Sequence, residues 1–136
     1  MDIHLANLDW SGLEILRDEE CLRLLDAAPI GRLGFVDQGS PVILPVNFAV
    51  EGRSIAFRTA AGSKLSTALL ERPVCLEVDG WDAVARSGWS VLAKGYAMHH
   101  DDGGRTEASV RPWSRPELRE HWVSIMVEEL SGRRIS

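Results

Sequence analysis

The chain has 136 residues, 45% of them apolar and 26% charged, which suits one domain around one core and is unlike disordered or collagen-type compositions. A net charge of −5 opposes binding to a nucleic-acid backbone, which needs dense Lys and Arg. The start Met1-Asp2-Ile3-His4-Leu5 has no leader pattern and the longest aliphatic run, Pro41 to Val46, is too short to cross a bilayer, so a cytoplasmic chain with no membrane partner is expected.

The first element expected is a helix from Asp18 to Ala28. Cys21, Leu22, Leu24, Leu25 and Ala28 have helical spacing, Asp18, Glu19 and Glu20 favour the positive end of the macrodipole, and Pro29 stops it. Three strands follow, Gly31 to Val36, Val42 to Val50 and Arg53 to Thr59, joined by Asp37-Gln38-Gly39-Ser40 and Glu51-Gly52. Turns this tight require antiparallel neighbours.

Ser63 to Arg72 reads as a short helix with Leu65, Ala68 and Leu69 on one face and Pro73 as its stop. Strands resume at Val74 to Trp81, where residues alternate, and at Gly88 to His99, before a loop at Asp101-Asp102-Gly103-Gly104. Pro116 to Leu130 is ambiguous: Leu118, Trp122, Ile125 and Met126 have helical spacing, while Val123, Ile125 and Val127 alternate. About six strands with two short helices and no βαβ repeat predict a mainly β fold, a closed or partly closed antiparallel barrel.

The most informative stretch for chemistry is Phe57-Arg58-Thr59-Ala60-Ala61-Gly62-Ser63-Lys64-Leu65. Two cations crowd the expected start of a helix, where free N–H groups already carry partial positive charge, and an anion would resolve that conflict. A phosphate on the N–H groups after Gly62, with Arg58 as a bidentate partner, Lys64 as a point charge and Thr59 or Ser63 as hydroxyl donors, forms a sensible site. The plainer alternative is a helix capped by Ser63 with both basic side chains in solvent. The spacing is not that of a Walker loop.

In Val42 to Val50, Pro45 and Asn47 share the face opposite Val42, Leu44, Val46, Phe48 and Val50. A proline there marks an edge or bulge, where backbone groups and the Asn47 amide can meet a ligand instead of a ladder. Trp89 with Ser90, and Trp113, lie beside small or turn-forming residues and could flank a planar ring, with core packing as the alternative. Cys21 and Cys75 have no metal or disulfide spacing and are expected as buried thiols. The four histidines have no chelating arrangement, so no metal is expected, and no Ser/His/Asp triad is present.

Taken in series, Gly31-Arg32-Leu33-Gly34-Phe35, Pro45-Val46-Asn47-Phe48, Phe57-Arg58-Thr59 with Gly62-Ser63-Lys64-Leu65, Gly88-Trp89-Ser90-Val91 and Ser131-Gly132-Arg133-Arg134-Ile135 resemble the pyridoxamine 5'-phosphate oxidase-like FMN-binding split-barrel family. The resemblance covers about Leu16 to Ile135 and is nearest to its short bacterial members, among them nitroimidazole reductases. It implies a six-stranded antiparallel split β-barrel, strand rather than helix for His121 to Val127, and a homodimer with FMN at the interface.

Carried over, Arg58, Thr59, Ser63 and Lys64, followed by Leu65, would hold the phosphate, and Pro45, Val46 and Asn47 would line the isoalloxazine edge. Trp89, Ser90 and Trp113 would come from the neighbouring subunit. The chain closes on Gly132-Arg133-Arg134-Ile135-Ser136 without the C-terminal Arg/His segment that the pyridoxamine phosphate oxidases use on substrate, so vitamin B6 oxidation is not expected. The resemblance implies an FMN-dependent oxidoreductase acting on a small molecule, with the flavin rather than a protein residue carrying the redox chemistry. The alternatives are a non-catalytic flavin-binding module and an F420-dependent reductase.

Overall fold

The structure is a computed structural model that describes residues 8–60, 69–100 and 119–135. In chain order its elements are β1 (Glu14–Ile15), α1 (Asp18–Ala27), β2 (Gly31–Asp37), β3 (Ser40–Val46), β4 (Ala49–Glu51), β5 (Ser54–Ala60), β6 (Pro73–Asp82), β7 (Ser87–His100) and β8 (Arg119–Ile135). The β2–β3 turn has Gln38 at φ +50° and Gly39 at φ +80°, the two positive values that let a two-residue turn follow the twist of its strands. In α1, the acidic first turn offsets the lack of a side-chain cap at Arg17.

The strands form one sheet in the order β3-β2-β6-β7-β8-β5-β4, with β1 added beside β8, and all the strand pairs are antiparallel. Its two outermost strands, β3 and β4, are consecutive in the chain and joined only by Asn47 and Phe48. Three Cα steps reach at most roughly 11 Å, so the sheet must curl until its edges nearly meet. No ladder joins β3 to β4 in that order, which makes the barrel a split one.

The inward residues make one core that includes Leu25 of α1, Leu33, Phe57, Leu76, Val91 and Ile125, each essentially inaccessible. Pro41 and Pro45 both fall in the edge strand β3, four residues apart and so on the same side of its backbone. Only the open side of an edge strand can do without donors, and two missing N–H groups there also discourage a foreign strand from adding.

Several expectations change in detail. The strand expected from Val42 to Val50 is interrupted at Asn47 and Phe48, and this break together with the two-residue β1 turns six expected strands into eight. The helix expected from Ser63 to Arg72 lies mostly outside the described residues. Its described end leaves the helix by Leu70, which bridges to Ala97, while Glu71 takes φ +63° and Pro73 opens β6 instead of merely stopping a helix. Cys21 is buried as expected, but Cys75 is only half-buried, because it lies on the outward face of β6.

The ambiguous segment is strand throughout its described part, with Val123, Ile125 and Val127 inward and Met126 outward. The β7–β8 register shifts once, where Glu128 is left over between the pairs Lys94–Glu129 and Gly95–Val127. At this bulge the backbones approach so closely that a Cβ on Gly95 would lie 1.9 Å from the Met126 carbonyl oxygen. Among the described residues, no helix is long and apolar enough to cross a membrane.

The end of β8 anchors the N-terminal segment. The Asp9 carboxylate accepts from the Ser11 hydroxyl (2.6 Å), the amides of Ser11 and Leu13, and Arg133 Nε (3.0 Å). Arg134 donates to Glu20 of α1 at 2.8 Å, and Glu20 also accepts from Arg23. The Ser11 hydroxyl first, then the amides and Arg133, hold Asp9 at about 2 instead of 3.8, and Arg23 and Arg134 hold Glu20 at about 2 instead of 4.5.

Two predictions follow from this packing. Gly95→Ala should lower stability by about 1 to 3 kcal/mol in urea unfolding through overpacking, and an unchanged midpoint would contradict the close approach. Because folding depresses both carboxyl pKa values, their contribution is complete above about pH 5 and lost as pH falls through 4 toward 2. Melting temperature should therefore drop over that window, and Asp9→Asn should flatten the drop. An identical acid profile for the two proteins would remove Asp9 from the anchor.

Candidate functional site

Arg58 lies near the end of β5, after the buried run Ile55, Ala56 and Phe57, and is half-buried on the face opposite Phe57. Its cross-strand partner on β8 is Trp122, and the Arg58 Cζ stands 4.5 Å from the centroid of the indole. Thr59 follows it in β5, in register with His121. Ser63, Lys64 and Leu65, expected beside Arg58 around a phosphate, and Trp113 lie outside the described residues.

Pro45 pairs with Arg32 of β2, in the row that runs through Glu77 of β6 to Leu92 of β7, and Val46 and Asn47 follow it. Pro45 is exposed and Val46 buried at the end of β3, and Asn47 begins the crossing to β4. Two residues after Asn47, Ala49 pairs with Ala56, which lies two residues before Arg58 in β5. The Asn47 side chain is already oriented, since its Nδ2 donates to the Pro29 carbonyl at 2.9 Å. That leaves the oxygen end of the amide as the part suited to accept from a ligand.

Trp89 and Ser90 are elsewhere. Trp89 pairs with Arg134, whereas His100 pairs with Trp122 at the level of Arg58. The two levels are eleven residues apart along β7, or roughly 36 Å at the rise of a strand. One protomer therefore does not bring Trp89 and Arg58 to one ring system. The Trp89 indole closes over Gly80 and packs against the core, while Trp81, on the opposite face, is 63% exposed.

Between these ends, the outer face of the sheet carries an open groove of about 610 Å³ whose lining includes Val36, Ile43, Cys75, Lys94, Tyr96 and Glu129. Ile43 is 71% exposed and Met126, farther along the same face, 54%. Beside the groove Arg32 Nη1 donates to both Glu77 (3.0 Å) and Asp79 (2.7 Å). Burial first, and then the neighbouring Asp79, push the Glu77 carboxyl up, with Arg32 pulling the other way. Among the described residues, no group of His, Cys, Asp and Glu could hold a metal ion.

Sequence reasoning missed Trp122. Its helical spacing with Ile125 and Met126 concealed that a strand sets it opposite Arg58, and only the pairing of segments more than 60 residues apart reveals the stack. Arg133 and Arg134, noted as a closing motif, prove to anchor Asp9 and Glu20.

Among known proteins, the chain is 34% identical over 132 residues to an uncharacterised protein of Mycobacterium tuberculosis, covering 90% of this chain and 85% of that one. It is similar to the structure of the FAD binding protein from Mycobacterium smegmatis, with 31% identity, TM-score 0.72 and coverage of 91% of this chain and 99% of that one. A conserved protein of Corynebacterium diphtheriae matches at 32% identity and TM-score 0.72, over 91% of this chain and 98% of that one. The sequence family described as pyridoxamine 5'-phosphate oxidase matches residues 17–134, from the residue before α1 almost to the end of β8. Split barrel, motif order and this match agree: the chain belongs to the pyridoxamine 5'-phosphate oxidase family.

Proposed function

We propose that this chain binds a flavin nucleotide, FMN as the first candidate, and acts as an FMN-dependent oxidoreductase on a small molecule. The observation that carries the reading is the half-buried Arg58 at the end of β5, next to the strand β4 that the chain enters through Asn47, in a chain 31% identical to an FAD binding protein. A guanidinium offers a planar fork of N–H donors that matches phosphate oxygens two at a time. FMN and FAD both carry a phosphate on the ribityl chain, and F420 carries one too, so the same cation suits all three.

In this reading Arg58 and Lys64 supply charge, Thr59 and Ser63 supply hydroxyls, and Leu65 follows them in the phosphate-binding stretch. Asn47 presents its carbonyl toward the ring edge, with Pro45 and Val46 as the backbone wall. The bound flavin supplies the electron transfer, while the chain orients it and keeps water from it. No residue of the chain is assigned a proton transfer.

The apolar residues exposed on the outer face, Ile43, Tyr96 and Met126 among them, support a homodimer, because exposed apolar surface favours association. A second copy would also deliver Trp89, Ser90 and Trp113, which a single protomer keeps far from Arg58 or which lie outside the described residues. Light scattering should then give about twice the mass of one chain, and a monomer that still binds flavin tightly would rule out a shared site.

Purified protein titrated with FMN, FAD and F420 while its visible absorbance is followed should bind FMN. Replacing Arg58 and Lys64 together by Ala should weaken that binding by about 3 to 6 kcal/mol, since each charge-assisted bond contributes about 1.5 to 3. Unchanged affinity would remove the phosphate assignment. Preference for F420 would move the chain to deazaflavin chemistry, and bound FMN that no nicotinamide donor reduces would indicate a non-catalytic flavin-binding module.

A further inference from the structure

We infer that Trp122 is a positioning residue for the phosphate of the cofactor, because its indole fixes the plane of the Arg58 guanidinium before any ligand arrives. This rests on the flavin reading above, in which Arg58 receives the phosphate. Arg58 and Trp122 are register partners on β5 and β8, and the Cζ of one stands 4.5 Å from the ring centroid of the other. At that distance the negative face of an indole attracts a cation, and a delocalised guanidinium fits it better than a compact ammonium.

The surroundings make the stack a fixed support and give it a direction. Trp122 is paired through its backbone with Arg58 on one side and with His100 of β7 on the other, so the indole stands on a strand held from both sides. On the far side of β5 the short strand β4 reaches only to Ala49, opposite Ala56, and ends before the level of Arg58. The Arg58 side chain thus has the indole toward β8, and among the described residues the β4–β5 ladder ends at Ala56. This is the side on which the chain crosses at Asn47.

A guanidinium lying flat on the indole uses its π face and leaves its N–H bonds in the plane, where phosphate oxygens bind. The two contacts are therefore compatible, and the first reduces the side-chain freedom that the second would otherwise have to remove. An arginine without the indole would keep its charge but lose this preorganisation. The role is specific to the phosphate end and predicts no effect on ring recognition.

The test is a double-mutant cycle read with two probes, FMN and riboflavin, which has the same ring system without the phosphate. Trp122→Leu should raise the Kd for FMN about 3- to 30-fold, the range of a cation–π contact from exposed to desolvated. Trp122→Phe should restore most of the affinity. In an Arg58→Ala background Trp122→Leu should add nothing, and riboflavin binding should be unmoved by Trp122→Leu. Equal losses for FMN and riboflavin, or an undiminished effect in the Arg58→Ala background, would overturn the positioning role, because damage to fold or ring pocket would act that way. Wild-type affinity for FMN in Trp122→Leu, with Arg58→Ala clearly weakened, would overturn it while leaving the phosphate reading intact. An Arg58→Ala protein that binds FMN like wild type would bring down the phosphate reading itself and this inference with it.

Discussion

The structure depends on β8 being paired on both edges. Removing it from the strand order leaves β3-β2-β6-β7 as one piece and β5-β4 as another, so among the described residues the backbone hydrogen bonds of β8 alone connect the two halves of the sheet. Its alternation of Val123, Ile125 and Val127 into the core follows from that double pairing, since an inward face on a central strand must be apolar. The strand arrives last in the chain and pairs with residues far before it, which places the decisive contacts at long range.

The same strand organises both ends of the barrel for different purposes. Near its start, Trp122 stands against Arg58 of β5, and the neighbour of β5 on its other side, β4, is the strand that the chain enters through Asn47 and Phe48. Near its finish, Arg133 and Arg134 engage Asp9 and Glu20, so these two cations of an acidic chain hold the N-terminal segment and α1 against the sheet. Charge at one end is used for cohesion, and charge at the other is suited to an anion. The bulge at Gly95 and Glu128 lies between them and shifts the register of the long β7–β8 ribbon.

Much of the barrel was legible in the residues because local chemistry decides it. Gly39 and Gly52 mark the hairpin turns, Pro29 marks the end of α1, and the alternation in Val74 to Trp81 gives the correct faces of β6. The break at Asn47 and Phe48 was hidden because the apolar alternation runs straight through it, and what interrupts the strand is the curl of the whole sheet. Periodicity left β8 open between helix and strand, and the family resemblance gave the strand that the structure shows, whereas the partnership of Arg58 with Trp122 was hidden because it is set by pairing across more than 60 residues, which no local period encodes. Of the candidate site, Arg58 and Thr59 adjoin in β5, Pro45 and Val46 end β3 and lead through Asn47 to β4 beside it, and Trp89 and Ser90 lie at the other end of β7 from His100, which is level with Arg58.

The central claim is that the end of β5 receives the phosphate of a flavin. A crystal structure of the protein soaked with FMN tests it most directly, because it places the phosphorus atom relative to Arg58 and Trp122. The account predicts phosphate oxygens at about 2.7 to 2.9 Å from the guanidinium nitrogens, with the Arg58 Cζ still over the indole. FMN bound with its phosphate at any other part of the surface would contradict it.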